Sequence, residues 1–525
     1  MDSHVIEMMK EAATYAVGGL LLLIIFDLSY QLLFHPLRDY PGPLAGRLTS
    51  GYGAFYTWRR CLHVVTYNSF QKYGSVVRIS PNRLVFNTVT ALNDIYNNSR
   101  VVKGRAYALT RQERTNANVF NSTDKAEHRR KRKIIGPIIS ERSMHAFEPV
   151  MSAEVDIFLQ LLLQSSRKRE VVDMTERCER LGVDVVGQLA FGYALNSQRE
   201  PTHRAVVEGI KSRSARGSLY MLWSTLSYFD PVIDLIFPPT WRADMDSFHR
   251  SLRTMIGTRM ALPKDAKHDF YAQASGEIAP GEPGMPGKEL WAEAALFIAA
   301  GGSTTSTAMT AALFYLSRNP EAYSRLASEI RGSFTSGREI RQGPDLAACK
   351  YLRAVIDEAL RLAPGTISFW REQEPTSAAA GEPFIVEGRP IPPGVQVAIN
   401  PFCLMRNPDY FDDPLTFKPE RWLARDDEAA GEKEKRATMR RVFVPFAHGD
   451  RACAGKAMAY LELSLVLART MWYFDFEKAP GPAGALGEED GNPNLFQMQD
   501  GIVVGHQGPN LVFKPREKYA NDLEV

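Results

Sequence analysis

Cysteine is scarce in this chain. The 525 residues hold five, Cys61, Cys178, Cys349, Cys403 and Cys453. Their number is odd, they lie far apart and none forms a CxxC pair. That excludes a disulfide framework and a zinc site, and it fits a reducing compartment. Charge of one sign is scarce too. The formal net charge is only +3, with no long basic tail. No nucleic-acid-binding motif is present, so a polyanionic partner is excluded. Internal repeats are absent, which removes solenoids and propellers. No Gly- or Pro-rich break divides the chain after its first fifty residues, so one large domain is expected. What remains is ordinary globular material, 45% apolar and 23% charged, in a chain long enough to bury a large core without staples.

Long hydrophobic runs are limited to one, AATYAVGGLLLLIIFDLSYQLLF at residues 12–34. As a helix it reaches about 34 Å, enough to cross a bilayer core. Asp27 would cost about 3 kcal/mol at mid-span, and less toward the C-terminal end where it sits. A cleaved signal peptide is the rival reading. The run is long for one, and Asp2, Glu7 and Glu11 stand where a basic start is needed. Lys10 alone precedes the run, whereas Arg38 and Arg47 follow closely, which puts the following residues on the cytosolic side. The next stretch, HPLRDYPGPLAG, carries three prolines that cannot continue a helix. It reads as a plain linker or as a hinge that sets the pose on the membrane. The expected organisation is a lumenal 1–11, a transmembrane anchor 12–34, a Pro-rich linker 35–52, a domain over 53–516 and a tail over 517–525.

The domain reads as mainly α. Helical patterns lie near 122–133, 142–166, 289–317, 320–332, 349–362 and 455–472. GSVVRISPNRLVFN, residues 74–87, alternates around a Pro-Asn turn as a hairpin, and residues 382–399 read as short strands. Residues 425–436 and 480–493 look like surface loops.

One cysteine has unusual neighbours. PFAHGDRACAG, residues 445–455, sets Cys453 in a glycine-flanked loop just before a helical pattern. A thiolate is favoured by nearby positive charge and by N–H groups at a helix start. Arg451 supplies the charge in this reading, Gly449 and Gly455 permit close approach, and Phe446 can lie against a flat ring. A single thiolate cannot hold zinc or an iron–sulfur cluster, but it can be the axial ligand of a haem, where its electron density favours O–O cleavage. Asp450 is unfavourable beside a thiolate unless it points to solvent.

The loop resembles the haem-binding pattern F-x-x-G-x-R-x-C-x-G of the cytochrome P450 monooxygenases, through Phe446, Gly449, Arg451, Cys453 and Gly455. Other stretches carry the same resemblance. EALR matches E-x-x-R as Glu358 and Arg361, and PERW adds Arg421, implying a buried structural Glu-Arg-Arg network. AAGGSTTS resembles the distal helix pattern A/G-G-x-D/E-T-T as Ala300, Gly301, Gly302, Ser303, Thr304 and Thr305. Ala300 and Gly301 would leave room at the haem, while Thr304, with Ser303 in place of the usual acid, would guide protons through hydroxyls and water. HRRKR resembles W/H-x-x-x-R, implying that His128 and Arg132 hold a haem propionate, with Arg371 on the other. Arg129, Arg130, Lys131 and Lys133 read as a solvated basic face that an acidic electron donor would meet.

The resemblance implies the mainly α cytochrome P450 fold with small β-sheets behind a single N-terminal transmembrane helix. It implies haem b, O2, an apolar substrate, and electrons from NADPH through the membrane-bound NADPH–cytochrome P450 reductase, with cytochrome b5 as a further donor. FHPLRDYPGP, ELWAEA and LVFKPRE are similar to microsomal members from filamentous fungi, which implies an endoplasmic reticulum membrane location and a tailoring step in secondary metabolism. Expected pocket walls are 101–120, 205–245, Phe297, Ala300, Ile367, Ser368, Phe369 and the tip near Ile502. Two alternatives use the same haem: an isomerase or dehydratase needing no external electrons, which the Ser303 departure motivates, and a non-catalytic haem sensor.

Overall fold

The computed structural model describes residues 3–524 apart from 112–115, 230–234, 236–239, 264–265, 268, 276–283 and 425–427. Parts of the expected pocket walls, within 101–120 and 205–245, therefore lie outside the described residues. Helix α1 (Ser3–Ser29) runs on through a π-helical turn to Phe34. Among the described residues one helix, Glu7–Phe34, is long and apolar enough to cross a membrane, with mean hydropathy 2.0 and only 6% of its most apolar window buried.

The segment after it is packed down, which a hinge would not be. Leu37 is fully buried. The guanidinium of Arg78, also fully buried, donates to Gln31 Oε1 at 2.8 Å, to Gln31 O at 3.2 Å and to Leu37 O at 3.4 Å. His35 Nε2 meets Asn82 Oδ1 at 3.0 Å. The prolines prevent a helix here, and the freed backbone carbonyls are satisfied by one arginine of the neighbouring hairpin.

That hairpin is β1 (Val76–Ser80) and β2 (Arg83–Phe86), turned by Pro81 and Asn82. It begins a five-stranded sheet with β3 (Val101–Lys103), β4 (Arg371–Gln373) and β5 (Gln396–Ile399), in spatial order β1-β2-β5-β4-β3. β2 and β5 are parallel, and the other pairs are antiparallel. Lys103 lies directly opposite Arg371 in the β3–β4 register.

The helical part carries the core. α2 (Lys125–Ile138) starts where the Asp124 side chain accepts from Glu127 N at 2.6 Å. α3 (Glu141–Arg167) follows, then α4 (Met174–Phe191), α5 (Ala205–Leu222) and α6 (Thr240–Met260). α7 (Gly287–Leu316), α8 (Lys350–Leu362) and α9 (Lys456–Tyr473) complete the frame. α4, α5 and α6 are absent from the sequence-based helices. α4 buries the charged Glu179 and Asp184 among its apolar residues, which blurs the pattern that a sequence reading looks for.

α4 and α7 cross at glycine. A Cβ on Gly182 would meet the carbonyl oxygen of Gly302 at 2.3 Å, and one on Gly301 would meet Val186 Cγ2 at 2.8 Å. Gly301 and Gly302 are therefore small because α4 passes there. Three expectations are corrected. Residues 430–436, read as surface loop, belong to a helix, Ala430–Val442, that buries Met439 and Val442 against the domain. Residues 480–493 fold into a 3-10 turn and the start of a hairpin, Glu488–Glu489 with Asn492–Phe496. Lys131, read as part of a solvated face, has no exposed surface; it pairs with Glu293 at 3.1 Å and Glu289 at 3.2 Å, both on α7. A charge on α2 thus ties that helix to α7 instead of facing water. Arg129 and Lys133 are exposed as expected.

Gly182→Ala would force the α4–α7 crossing apart, backbone against backbone. A loss of about 3 kcal/mol is expected, measured as a lowered urea midpoint with an unchanged slope.

Candidate active site

The loop before α9 is closed by Cys453 N donating to Phe446 O at 2.8 Å. Two residues in it take left-handed backbone, Ala447 at φ 61° and Gly449 at φ 75°. Gly449 is required twice over, since a Cβ there would also meet Tyr96 O at 2.1 Å. Phe446 packs against Tyr460, ring centroids 5.2 Å apart. Gly455, at the N-terminus of α9, directs its N–H at the Cys453 sulfur.

Cys453 is exposed, yet it lies deep enough that burial pushes its thiol pKa up; the Gly455 N–H, Arg132 and Lys456 pull the other way. The sulfur is thus accessible although it lies deep within the domain. Arg451 has a different task from the one its spacing suggests. Its guanidinium donates to Ser122 O at 3.0 Å and Asp124 O at 3.4 Å, bracing the loop against the start of α2. The positive charge that favours a thiolate comes from Arg132 and Lys456 instead. Asp450 does point outward, its side chain 71% exposed.

Near this sulfur several cations gather, and the acids that act on them are Asp450, Asp124 and Glu127 on Arg451 and Asp450 on Lys103. Burial, then Arg451, Lys103, Arg132 and Arg371, push the His128 pKa down to about 3. Burial, Arg371 and Arg451 hold Lys103 well below its ordinary value. Among the described residues no carboxylate pairs with Lys103, His128, Arg132 or Arg371, and Arg451 reaches only the outward Asp450 at 3.8 Å. Lys103 contacts the faces of Tyr107 and Phe120 and donates to Phe120 O. Arg371 lies over Tyr96. Like charges directly opposite in a sheet, as Lys103 and Arg371 are, destabilise it unless an anion sits between them. The set fits a group bearing carboxylates. Sequence reading missed Lys103, because no motif marks a lone lysine; the strand register reveals it.

On α7, Ala300 is exposed and Thr304 half-buried, while Ile298, Gly302 and Ser303 are buried. Positions 300 and 304 share one helix face, and Thr304 Oγ1 donates to Ala300 O at 2.7 Å. Ser303 instead stands on the face towards the strand around Val504, and its carbonyl accepts from Ser306 Oγ at 2.7 Å and Thr307 Oγ1 at 3.0 Å. Phe297 packs on Phe270 at 4.5 Å. Ile367 is buried in the main core, and Phe369 packs edge-on against Tyr96. Of that trio Ser368 alone is partly open.

The Glu358 carboxylate is fully buried and saturated. It accepts from Arg361 Nη2 at 2.8 Å, Arg361 Nε at 2.9 Å, Arg421 Nε at 3.0 Å, Lys418 N at 2.9 Å and Trp422 Nε1 at 2.9 Å. Burial pushes its pKa up, but Arg361, Arg421 and the Lys418 N–H outweigh it and hold the carboxyl below its usual range. Arg361 also donates to Met405 O, Pro414 O and Thr416 O at 2.8, 2.7 and 3.2 Å.

A lone open cysteine, a small-residue helix face and a cationic cradle define a haem-thiolate enzyme. The cytochrome P450 family model matches residues 41–491. The chain belongs to the cytochrome P450 family and is a P450 monooxygenase. It is 32% identical over 513 residues to cytochrome P450 monooxygenase poxM of Penicillium oxalicum, covering 96% of this chain and 95% of that one. It is 31% identical to cytochrome P450 monooxygenase AKT7 of Alternaria alternata, over 92% and 94% of the two chains, and 30% identical to atnE of Emericella nidulans, over 93% of each.

Two outcomes follow from this geometry. Lys103→Met removes a buried cation, so the haem-free chain should unfold no more easily, while haem passes to apomyoglobin about tenfold faster. Glu358 contributes stability above its unfolded pKa that is lost as pH falls through its depressed folded pKa. The acid limb of stability against pH, below the ordinary 4.5, should therefore flatten in Glu358→Gln, which is also less stable at neutral pH.

Proposed function

We propose that this protein inserts one atom of O2 into an apolar small molecule, taking two electrons from NADPH through a membrane-bound reductase, in a tailoring step of fungal secondary metabolism. The balance is substrate–H + O2 + 2 electrons + 2 protons giving substrate–OH + H2O. The observation that carries this reading is the accessible, deep-lying Cys453 sulfur, within the field of Arg132 on the helix that also carries His128.

A haem iron with an axial thiolate supplies the activation of O2 when bound. Cys453 would be that ligand, with its loop held in shape by the Phe446 carbonyl and by Gly449. Lys103, His128, Arg132, Arg371 and Arg451 would neutralise the propionates. Ala300 leaves room on the distal face, and Thr304 holds a hydroxyl proton there. Glu358, Arg361 and Arg421 keep the protein behind the loop rigid. The apolar N-terminal helix supports a single-pass anchor in the endoplasmic reticulum membrane with the domain in the cytosol. Exposed Leu44, Phe55, Trp58, Tyr228 and Phe229 add apolar surface suited to the same bilayer.

An isomerase or dehydratase acting on a peroxide is the second reading, favoured by one feature: the position of the usual acid is Ser303, and Glu293, ten residues before it on α7, is engaged by Lys131. Turnover of an organic hydroperoxide without reductase or NADPH would support it. For the main reading, wild-type protein should give the thiolate-type ferrous–carbonyl band, and Cys453→Ser should lose it. An unchanged band in Cys453→Ser, or protein purified colourless despite ample haem supply, would overturn the assignment.

A further inference from the structure

We infer that Arg213 is the specificity-determining residue of the substrate site, binding a carboxylate carried by an otherwise apolar substrate. The inference rests on the monooxygenase reading above and narrows its substrate class.

Arg213 lies on α5, in one of the walls that the family resemblance places around the substrate. Three such walls meet here. Gly217 is one turn further along the same helix face. A Cβ on it would meet Ile502 Cδ1 at 2.7 Å and Thr110 Cγ2 at 3.7 Å. Ser214, the next residue on α5, locks the segment after Ile502: its Oγ accepts from Val503 N at 2.9 Å and donates to Val503 O at 3.0 Å. Val504 N donates to Gly365 O at 3.2 Å, and a Cβ on Gly365 would lie 3.1 Å from Thr304 Cβ. The segment that borders α5 beside Arg213 therefore continues to the distal turn of α7.

The guanidinium has more donors than the protein uses. Among the described residues it makes one hydrogen bond, from Nη2 to Thr110 O at 2.9 Å, out of the five N–H groups a guanidinium carries. Its other nitrogens are not sealed in, unlike Nη1 of Arg83, which is buried without a partner. The side chain is partly accessible, yet burial lowers its pKa and no anion counters that effect. Among the described residues no carboxylate pairs with it. The nearest acids along the chain and on α6 are engaged elsewhere: Glu208 holds Lys211 at 3.1 Å, and Asp244 accepts from Ser212 Oγ at 3.4 Å. The group that feels Arg213 from α6 is His249, whose pKa is pushed down by burial and then by Arg213, so it is neutral at pH 7 and supplies no negative charge.

A deep-lying cation without a counter-charge is costly, and an anion brought by a ligand removes the cost. The free edge of a guanidinium matches the two oxygens of a carboxylate. One arginine balances one negative charge, which suits a carboxylate and leaves a phosphate dianion half-compensated. Ile502 and Gly217 beside it leave apolar surface for the rest of the molecule. A substrate that reaches from Arg213 to Thr304 carries its carboxylate at the end remote from the oxidised carbon.

The test uses full-length holoenzyme of wild type, Arg213→Gln and Arg213→Lys. Each is titrated with octanoate, decanoate and dodecanoate and with the matching alcohols, which keep the chain and lose the charge. Displacement of the iron-bound water is followed in the haem spectrum, and thermal midpoints are measured with and without dodecanoate. Wild type should bind the acids at least about tenfold tighter than their alcohols. Arg213→Gln should reverse that order, because the alcohol is the more apolar ligand, and Arg213→Lys should keep a weakened preference for the acid. Without ligand, Arg213→Gln should melt no lower than wild type, since glutamine still donates to Thr110 O and a deep charge is gone. Dodecanoate should raise the midpoint of wild type and not that of Arg213→Gln. Wild type with a normal ferrous–carbonyl band that binds every alcohol as tightly as its acid would overturn the carboxylate site and leave the monooxygenase reading intact. An unchanged acid-to-alcohol ratio in Arg213→Gln, with a lowered ligand-free midpoint, would do the same and reduce Arg213 to a tie between α5 and Thr110. Absence of the carbonyl band in wild type would overturn both.

Discussion

Four basic side chains and a neutral histidine stand close together in this fold, and among the described residues the one carboxylate paired with them is the outward Asp450. Lys103, His128, Arg132, Arg371 and Arg451 converge from two strands, one helix and the cysteine loop. Burying charge without a partner is among the most expensive things a protein can do. The function proposed above accounts for it: the cluster would complement carboxylates carried by a cofactor. Folding and haem binding would then be linked, the same residues that weaken the empty chain strengthening the loaded one.

The loop around Cys453 answers to a second constraint, that one sulfur be both reachable and shielded from water. A closed turn meets it. The backbone bond from Cys453 to Phe446, the left-handed Gly449 against Tyr96, and Arg451 pinned to the carbonyls before α2 leave the sulfur little freedom. Arg451 is thus the joint between the cysteine loop and the helix that brings His128 and Arg132. Behind the loop, Glu358 gathers two arginines, a tryptophan and a backbone N–H, so that both of its buried oxygens are satisfied. The α2 helix is fixed from its other side by the buried pair of Lys131 and Glu293, which also holds Val119 N at 2.9 Å. Cradle, cysteine loop and distal helix are in this way one mechanical unit.

The distal helix shows how one short stretch serves two neighbours. Gly301 and Gly302 admit α4, whereas Ala300 and Thr304, on the adjoining face, stay accessible. Hydroxyls at 304, 306, 307 and 310 turn back on the carbonyls of the preceding turn. Such bonds compete with the regular helix ladder and loosen it locally. The acid usual in this family is replaced here by Ser303, among a run of hydroxyls.

Much of this was legible from local chemistry. The Cys453 loop, the Glu358–Arg361 spacing and the Thr304 turn are short motifs, and a short motif carries its meaning in neighbouring residues. The apolar run before residue 35 and the hairpin at 76–86 follow from composition and alternation alone. Less legible were helices such as α4, which buries the charged Glu179 and Asp184 among its apolar residues, and the helix at 430–442, whose dense charge resembles a loop. Tertiary structure alone decided that Lys131 turns inward to Glu293, that Arg451 braces α2 instead of the thiolate, and that Lys103 faces Arg371. It also brought His506 to Thr307, 199 residues away. The reason is common to all four. Each depends on which distant segment supplies the partner, and a chain order cannot state distances between residues that meet only when the core closes.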